Sequence, residues 1–203
     1  MCAHSIEILA ALLTGIGTIL LALVAVWGDL IRYWLAGAQL NVRLNDSCGN
    51  FGERGDKKKA CYFHVIVRNR RLWSPARDVR VRIEQLKMRQ PDDNYIPVSL
   101  VYALPLWWTP KELQDIQRTI ATQETCDLGN LVEGEDRFRL ATAYSPLNVQ
   151  NYVKAGEAIR VRIVASGQNV TSSAPLSLEI AWDGKFPTSK DDVPKHLVVK
   201  QVA

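Results

Sequence analysis

The chain has 203 residues, a formal net charge of +4 and a 47% hydrophobic fraction, which suits one ordinary water-exposed domain plus an appendage. A charge this mild carries no nucleic-acid signature, and no nucleic-acid partner is predicted. The four cysteines, Cys2, Cys48, Cys61 and Cys126, form no Cys-x-x-Cys and no zinc-finger spacing. Cys48 and Cys61 flank one polar loop, so two readings stand: a bridge in an oxidising compartment, or free thiols in a reducing one.

The first element is apolar. Ile8 to Trp27 is a run of 20 residues without a charge, closed by Glu7 and Asp29. At about 1.5 Å per residue it spans roughly 30 Å, the thickness of a bilayer core. A transmembrane helix is predicted, with Ile8, Leu12, Gly15, Leu20, Val24 and Trp27 in the span. Trp27, Tyr33 and Trp34 fall where an interfacial aromatic belt belongs. A secretory leader fits less well, because no basic segment precedes the run and the run exceeds the usual apolar length. Leu30, Ile31, Trp34 and Leu35 keep helical spacing, so the helix continues as a short interfacial extension and Gly37 ends it. This defines a first unit over residues 1–36 and a second over 37–203.

Arg32, Arg43, Arg54 and Lys57–Lys59 follow the span, whereas no Lys or Arg precedes it. The positive-inside rule then places the C-terminal domain in the cytoplasm of a single-pass inner-membrane protein. Ala11 and Gly15 on one helix face, and Thr14, Thr18 and Ala22 on another, are small residues that allow close helix approach, so a homo-oligomer through the helix is plausible.

From Gln39 onward the period becomes 2. Leu40, Val42 and Leu44 share one face, as do Phe63, Val65 and Val67, then Val79, Val81 and Ile83. Phe138 and Leu140, Ile159, Val161 and Ile163, and Leu176, Leu178, Ile180 and Trp182 repeat the pattern, and "HLVVKQV" closes the chain. Weaker strands are expected at Val98–Ala103 and Cys126–Leu131. Seven to nine short strands with turn-rich joints predict a mainly β fold, an Ig-like antiparallel β-sandwich. One short helix, or a long loop, is expected at Thr109–Ile120, where Thr109 and Glu112 have capping-box spacing. Asp46–Ala60 is polar and Gly-rich, and reads as a poorly ordered or membrane-contacting loop.

Three segments alternate arginine with apolar residues, which sends Arg80, Arg82, Arg137, Arg139, Arg160 and Arg162 outward. If these strands share a sheet, they form a basic face for anionic lipid headgroups, a phosphorylated ligand or an acidic partner. The bland alternative is a solvated face with Asp78, Glu84, Glu157 and Glu179 as cross-strand partners. Trp107 and Trp108 are adjacent, so extended backbone sends them to opposite sides; two readings stand, one packed inside with the other a binding anchor, or both packed in the core. The three histidines show no metal-ligand spacing, no Gly-x-Ser-x-Gly occurs, and no catalytic residue or cofactor is indicated.

The stretch "YFHVIVRNRRLWSPARDVRVRI" ends a strand in Val67-Arg68-Asn69, turns, and re-enters with Pro75-Ala76 before Val79 and Val81. It resembles bacterial Ig-like modules of the CARDB or adhesion type, as do "CDLGNL" at Cys126–Leu131 and "LEIAWDGKF" at Leu178–Phe186. The resemblance covers about half of the second unit. It implies a membrane-anchored sandwich, brings no catalytic residue, and points to an extracytoplasmic module. The expected function is a membrane-anchored binding or scaffolding module for a protein partner or an anionic ligand. Two alternatives remain: an oligomeric effector of a bacterial stress or antiphage pathway whose β domain senses a ligand, and an extracytoplasmic adhesion module.

Overall fold

A computed structural model describes residues 2–110, 113, 115–145, 149–171 and 174–202; the side chains of 2–7, 9, 10, 29–36 and 171 are left aside. The chain divides into two compact units, Met1–Gly37 and Ala38–Ala203.

The first unit is one helix, α1 (Cys2–Ala36), of 35 residues. Its window Ala11–Gly28 is long and apolar enough to cross a membrane, and none of that window is buried. Ile8, Leu12, Leu20, Val24 and Trp27 are all more than half exposed, and Gly15 is exposed as well. A helix with apolar residues on every side lacks the polar stripe of a surface helix. The helix runs without a break through the expected extension, and Thr18 returns its hydroxyl to the Thr14 carbonyl at 2.9 Å. The side chains of Tyr33 and Trp34 lie outside the described residues.

The second unit is the expected antiparallel sandwich. Its strands are β1 (Ala38–Leu44), β2 (Asn50–Glu53), β3 (Lys59–Asn69), β4 (Ala76–Arg89), β5 (Tyr95–Val98), β6 (Leu104–Pro105) and β7 (Arg118–Ile120). They continue with β8 (Gln123–Val132), β9 (Arg137–Leu140), β10 (Tyr152–Lys154), β11 (Ala158–Ser166), β12 (Val170–Thr171), β13 (Leu176–Trp182) and β14 (Leu197–Gln201). A short helix α2 (Val193–His196) precedes the last strand. One sheet has the order β10-β9-β8-β3-β1-β12, with β2 on the end of β3. The other has the order β14-β13-β11-β4-β5, with β6 and β7 also on β4. Pairing is antiparallel except where β12 runs parallel to β1.

The alternation places the residues as expected. Phe63, Val65, Val67, Val79, Val81, Ile83, Phe138, Ile159, Val161, Ile163, Leu178 and Ile180 fill the space between the sheets. Phe63 and Phe138 meet edge to face with centroids 5.8 Å apart. Truncating either ring to alanine removes a fully buried side chain, a loss of about 3–5 kcal/mol.

Asn69, the residue that ends β3 in the Val-x-Asn motif, is the one buried polar side chain among the described residues. Its amide donates to the Ser74 carbonyl at 2.8 Å, and its oxygen accepts from the Arg71 amide at 3.1 Å. It thereby closes the Arg70–Pro75 turn from inside.

Three expectations are corrected. Val98–Ala103 is not a strand; β5 ends at Val98, residues 99–103 turn, and β6 begins at Leu104. Leu100 still packs against the core, which accounts for its apolar character without a ladder. The end of the Thr109–Ile120 helix is strand β7, because Ile120 is buried opposite Ala76 on β4. Lys111, Glu112 and Gln114 of that segment lie outside the described residues. Asp46–Ala60 is not an open loop: β2 pairs with β3 from Asn50↔Tyr62 to Glu53↔Lys59, and Lys57 turns the hairpin at φ 64°.

Candidate functional site

The six outward arginines divide between the sheets. Arg80 and Arg82 stand on β4, with Arg160 and Arg162 on its neighbour β11, whereas Arg137 and Arg139 stand on β9 in the other sheet. A single basic face is therefore not formed, because β9 pairs with β8 and β10 and never meets β4 or β11.

Most of these guanidiniums have partners. Arg160 binds Glu179 at 2.8 Å and lies 3.8 Å over the Tyr95 ring. Lys200 reaches the other Glu179 oxygen at 3.0 Å. Burial raises the Glu179 carboxyl, but hydrogen bonds from Lys200, Arg160 and Tyr95 outweigh it, so its pKa lies below the usual value. Arg137 grips Asp136 through two bonds, at 2.6 and 3.0 Å, and lies over Tyr152. Arg80 donates to the Gln117 side-chain oxygen, and Arg82 to the Ser166 hydroxyl at 3.0 Å. Arg162 is exposed and forms no ion pair among the described residues. Of the expected carboxylate partners only Glu179 fills that role; Glu157 instead accepts from the Lys154 amide and from Gln150.

The tryptophan pair separates as alternation requires, with a consequence for the site. Trp108 is fully buried under the Arg118 guanidinium, which removes it from the surface as an anchor. Trp107 is half-buried, and its backbone links to Ala141 and Asp127.

The described cleft with the most convergent polar groups lies on the outer face of the β3–β8–β9 sheet. It has a volume of about 390 Å³, and its polar lining includes Arg54, Tyr62, His64, Thr109, Asp127 and Arg139. A register shift between Phe63 and His64 builds it: Phe63 faces Gly129, but His64 faces Asp127, so Leu128 is the extra residue on β8. Leu128 goes to the core and Asp127 is turned out beside His64. His64 Nε2 lies 3.3 Å from Asp127 Oδ1, and the Thr109 hydroxyl donates to the same oxygen at 2.6 Å. At the other end Glu135 is shared by Arg54 and Arg139, each at 2.9 Å. Gly129 forms part of the lining. A Cβ there would overlap the Arg139 carbonyl oxygen and lie 2.7 Å from Phe138 Cζ, so this position tolerates no side chain.

Chemically, the cleft offers two guanidiniums as donors, and an imidazole whose Nε2 lies beside the Asp127 carboxylate. The carboxylate stands between imidazole and hydroxyl. A hydroxyl nucleophile needs the imidazole itself as base, so the order is wrong for that relay. Among the described residues, no group of three or more His, Cys, Asp or Glu is placed to hold a metal ion.

Cys48, Cys61 and Cys126 are free thiols. Burial, with the nearby Cys48 and Asp46, pushes Cys61 up to about 12, and burial raises Cys126 as well. Both are therefore poor nucleophiles at neutral pH.

Of the predicted site residues, only Arg139 lines this cleft. Arg54, His64, Thr109 and Asp127 come from four separate stretches of sequence, and only the bulge in β8 and the β2–β3 hairpin bring them together. Comparison with known protein families and with curated proteins gives no match.

Proposed function

We propose that the chain is a single-pass membrane protein whose β-sandwich faces the cytoplasm and binds an anionic group. The group would be a carboxylate or phosphate carried by a small ligand or an acidic partner, held in the His64 cleft. The observation that supports this reading is the convergence of Arg54, Arg139 and His64 on one cleft of about 390 Å³. Arg54 and Arg139 share Glu135, a carboxylate with which an incoming anion would compete for both guanidiniums. The module recognises and tethers; it does not transform. In plan it is akin to the bacterial Ig-like modules its turn sequence resembles, set at a membrane by α1. The basic residues after the apolar run support the cytoplasmic orientation.

The test is thermal unfolding of the full chain in nanodiscs with inorganic phosphate, citrate or a polyglutamate peptide. A specific anion at 100 times its Kd stabilises by about 2.7 kcal/mol. The gain should disappear in Arg139→Gln and in Arg54→Gln. If no probe raises the midpoint, or the variants respond like the parent chain, the cleft is not an anion site.

A second reading, an oligomeric membrane effector, has support in a shallow apolar groove over Gly15 on α1, lined by Ile8, Ala11, Leu12, Ile16 and Ile19. Such grooves receive a second helix in lipid. Loss of the crosslinked oligomer in Gly15→Leu would favour it; an unchanged monomer in both chains would remove it.

A further inference from the structure

The β3–β4 turn carries two adjacent apolar side chains in a water-facing position. Leu72 is 62% exposed and Trp73 is 74% exposed. Asn69 braces this turn from within, so its shape is held rather than loose. Neither apolar residue contributes to the core, and neither belongs to the His64 cleft.

Strand register shows which end of the sandwich this is. The Arg70 amide donates to the Gln39 carbonyl at 2.7 Å, and the Ala38 amide donates to the Asn169 carbonyl at 2.7 Å. Asn169 in turn donates to the Pro75 carbonyl at 2.8 Å. The turn Arg70–Pro75 therefore sits beside Ala38, the first residue of the sandwich. Gly37 alone separates Ala38 from the last helical residue, Ala36. Two peptide steps reach at most about 7 Å, so Ala38 itself lies within that distance of Ala36.

The charge at this end is mainly basic; Glu124, opposite Val67, and Asp115 are both held by Arg118. Arg68, Arg70 and Arg77 are exposed and form no ion pair among the described residues, and Arg71 lies in the same turn. Asp78 is the acidic residue next to them. The opposite end is mixed: Asp46 pairs with Lys190, Glu135 with Arg54, Asp136 with Arg137 and Asp192 with Lys195. Arginines flanking an exposed Leu-Trp pair have the composition of an interfacial anchor. The guanidiniums meet anionic headgroups, and the indole settles at headgroup depth.

We infer that the turn Arg70–Pro75, with Arg68 and Arg77, is a second membrane contact, which seats Leu72 and Trp73 in the headgroup layer of an anionic leaflet. The inference rests on the reading that α1 spans the bilayer. With Ile8–Trp27 filling the hydrocarbon, residues 28–36 rise about 13 Å beyond it, against a headgroup layer of roughly 5–7 Å. Each arginine that reaches the leaflet adds about five-fold to surface partitioning.

The experiment uses the full chain labelled with 5-fluorotryptophan in nanodiscs of phosphatidylcholine alone or with phosphatidylglycerol. Trp73→Phe assigns the Trp73 resonance. Fluorine line broadening is read with a water-borne gadolinium chelate and with a headgroup spin label. In anionic discs Trp73 should lose broadening by gadolinium and gain it from the lipid label. Arg70→Gln with Arg77→Gln should return it to the pattern seen in neutral discs. Equal gadolinium broadening in both discs overturns the inference, as does protection that appears only with an added protein. The Trp27 resonance separates the two claims. Broadened by an acyl-chain label while Trp73 is not, it leaves the span intact and removes the anchor; unbroadened, it removes the span.

Discussion

Asn69→Ala tests how much of the sandwich hangs on one side chain. The amide donates to Ser74 at 2.8 Å and makes longer contacts with the carbonyls of Ala121 at 3.3 Å and Ile120 at 3.4 Å. Its oxygen accepts from Arg71 at 3.1 Å and Gln39 at 3.3 Å. The two short bonds contribute about 1 kcal/mol each, and the three long ones together about as much as one more. The expected loss is therefore about 3 kcal/mol, or roughly 6–12 °C in Tm for a domain of this size. Chemical and thermal unfolding of parent and variant measure it directly. Asn69→Asp sharpens the test, because it keeps the acceptor but turns a carboxylate oxygen toward three carbonyls; it should cost more than alanine at neutral pH. A loss below about 0.5 kcal/mol for Asn69→Ala, or an Asn69→Asp chain as stable as the parent, would refute the reasoning.

Gly129→Ala should destabilise by about 2–4 kcal/mol, since the new methyl meets the Arg139 carbonyl and the Phe138 ring, and urea unfolding reads the loss. Glu179 has a lowered folded-state pKa, so its contribution is present above the unfolded carboxylate value and is lost as pH falls through the folded one. Glu179→Gln should thus be less stable than the parent at pH 7, with the Tm difference shrinking below about pH 4. Iodoacetamide with peptide mapping should label the half-exposed Cys48 in the native protein and reach Cys61 and Cys126 only after unfolding.

Much of the architecture is legible in the sequence because both solvents impose simple periods. The charge-free run Ile8–Trp27 becomes an exposed helix, and the period-2 stretches become β1, β3, β4, β11 and β13 with their apolar residues inward. The misreadings share a cause. The end of Thr109–Ile120 continues the helical pattern in sequence, but Ile120 buries more by pairing with β4, so tertiary packing makes Arg118–Ile120 a strand. Polar composition hid the β2–β3 hairpin, whose β2 residues are all exposed. The site was the least legible part. Periodicity gives a residue's face, not its sheet, so six outward arginines could not be divided between β4–β11 and β9. The bulge at Leu128, which turns Asp127 toward His64, leaves no mark on either strand's pattern.

The account depends first on α1 being a retained membrane anchor. Alkaline carbonate extraction of membranes from cells expressing the full chain, beside a chain lacking residues 2–36, tests this directly. The account predicts that the intact chain stays with the pellet at full length, is released by detergent, and becomes soluble once the helix is deleted. A full-length chain released by carbonate, or a soluble product cleaved after the apolar run, would contradict it.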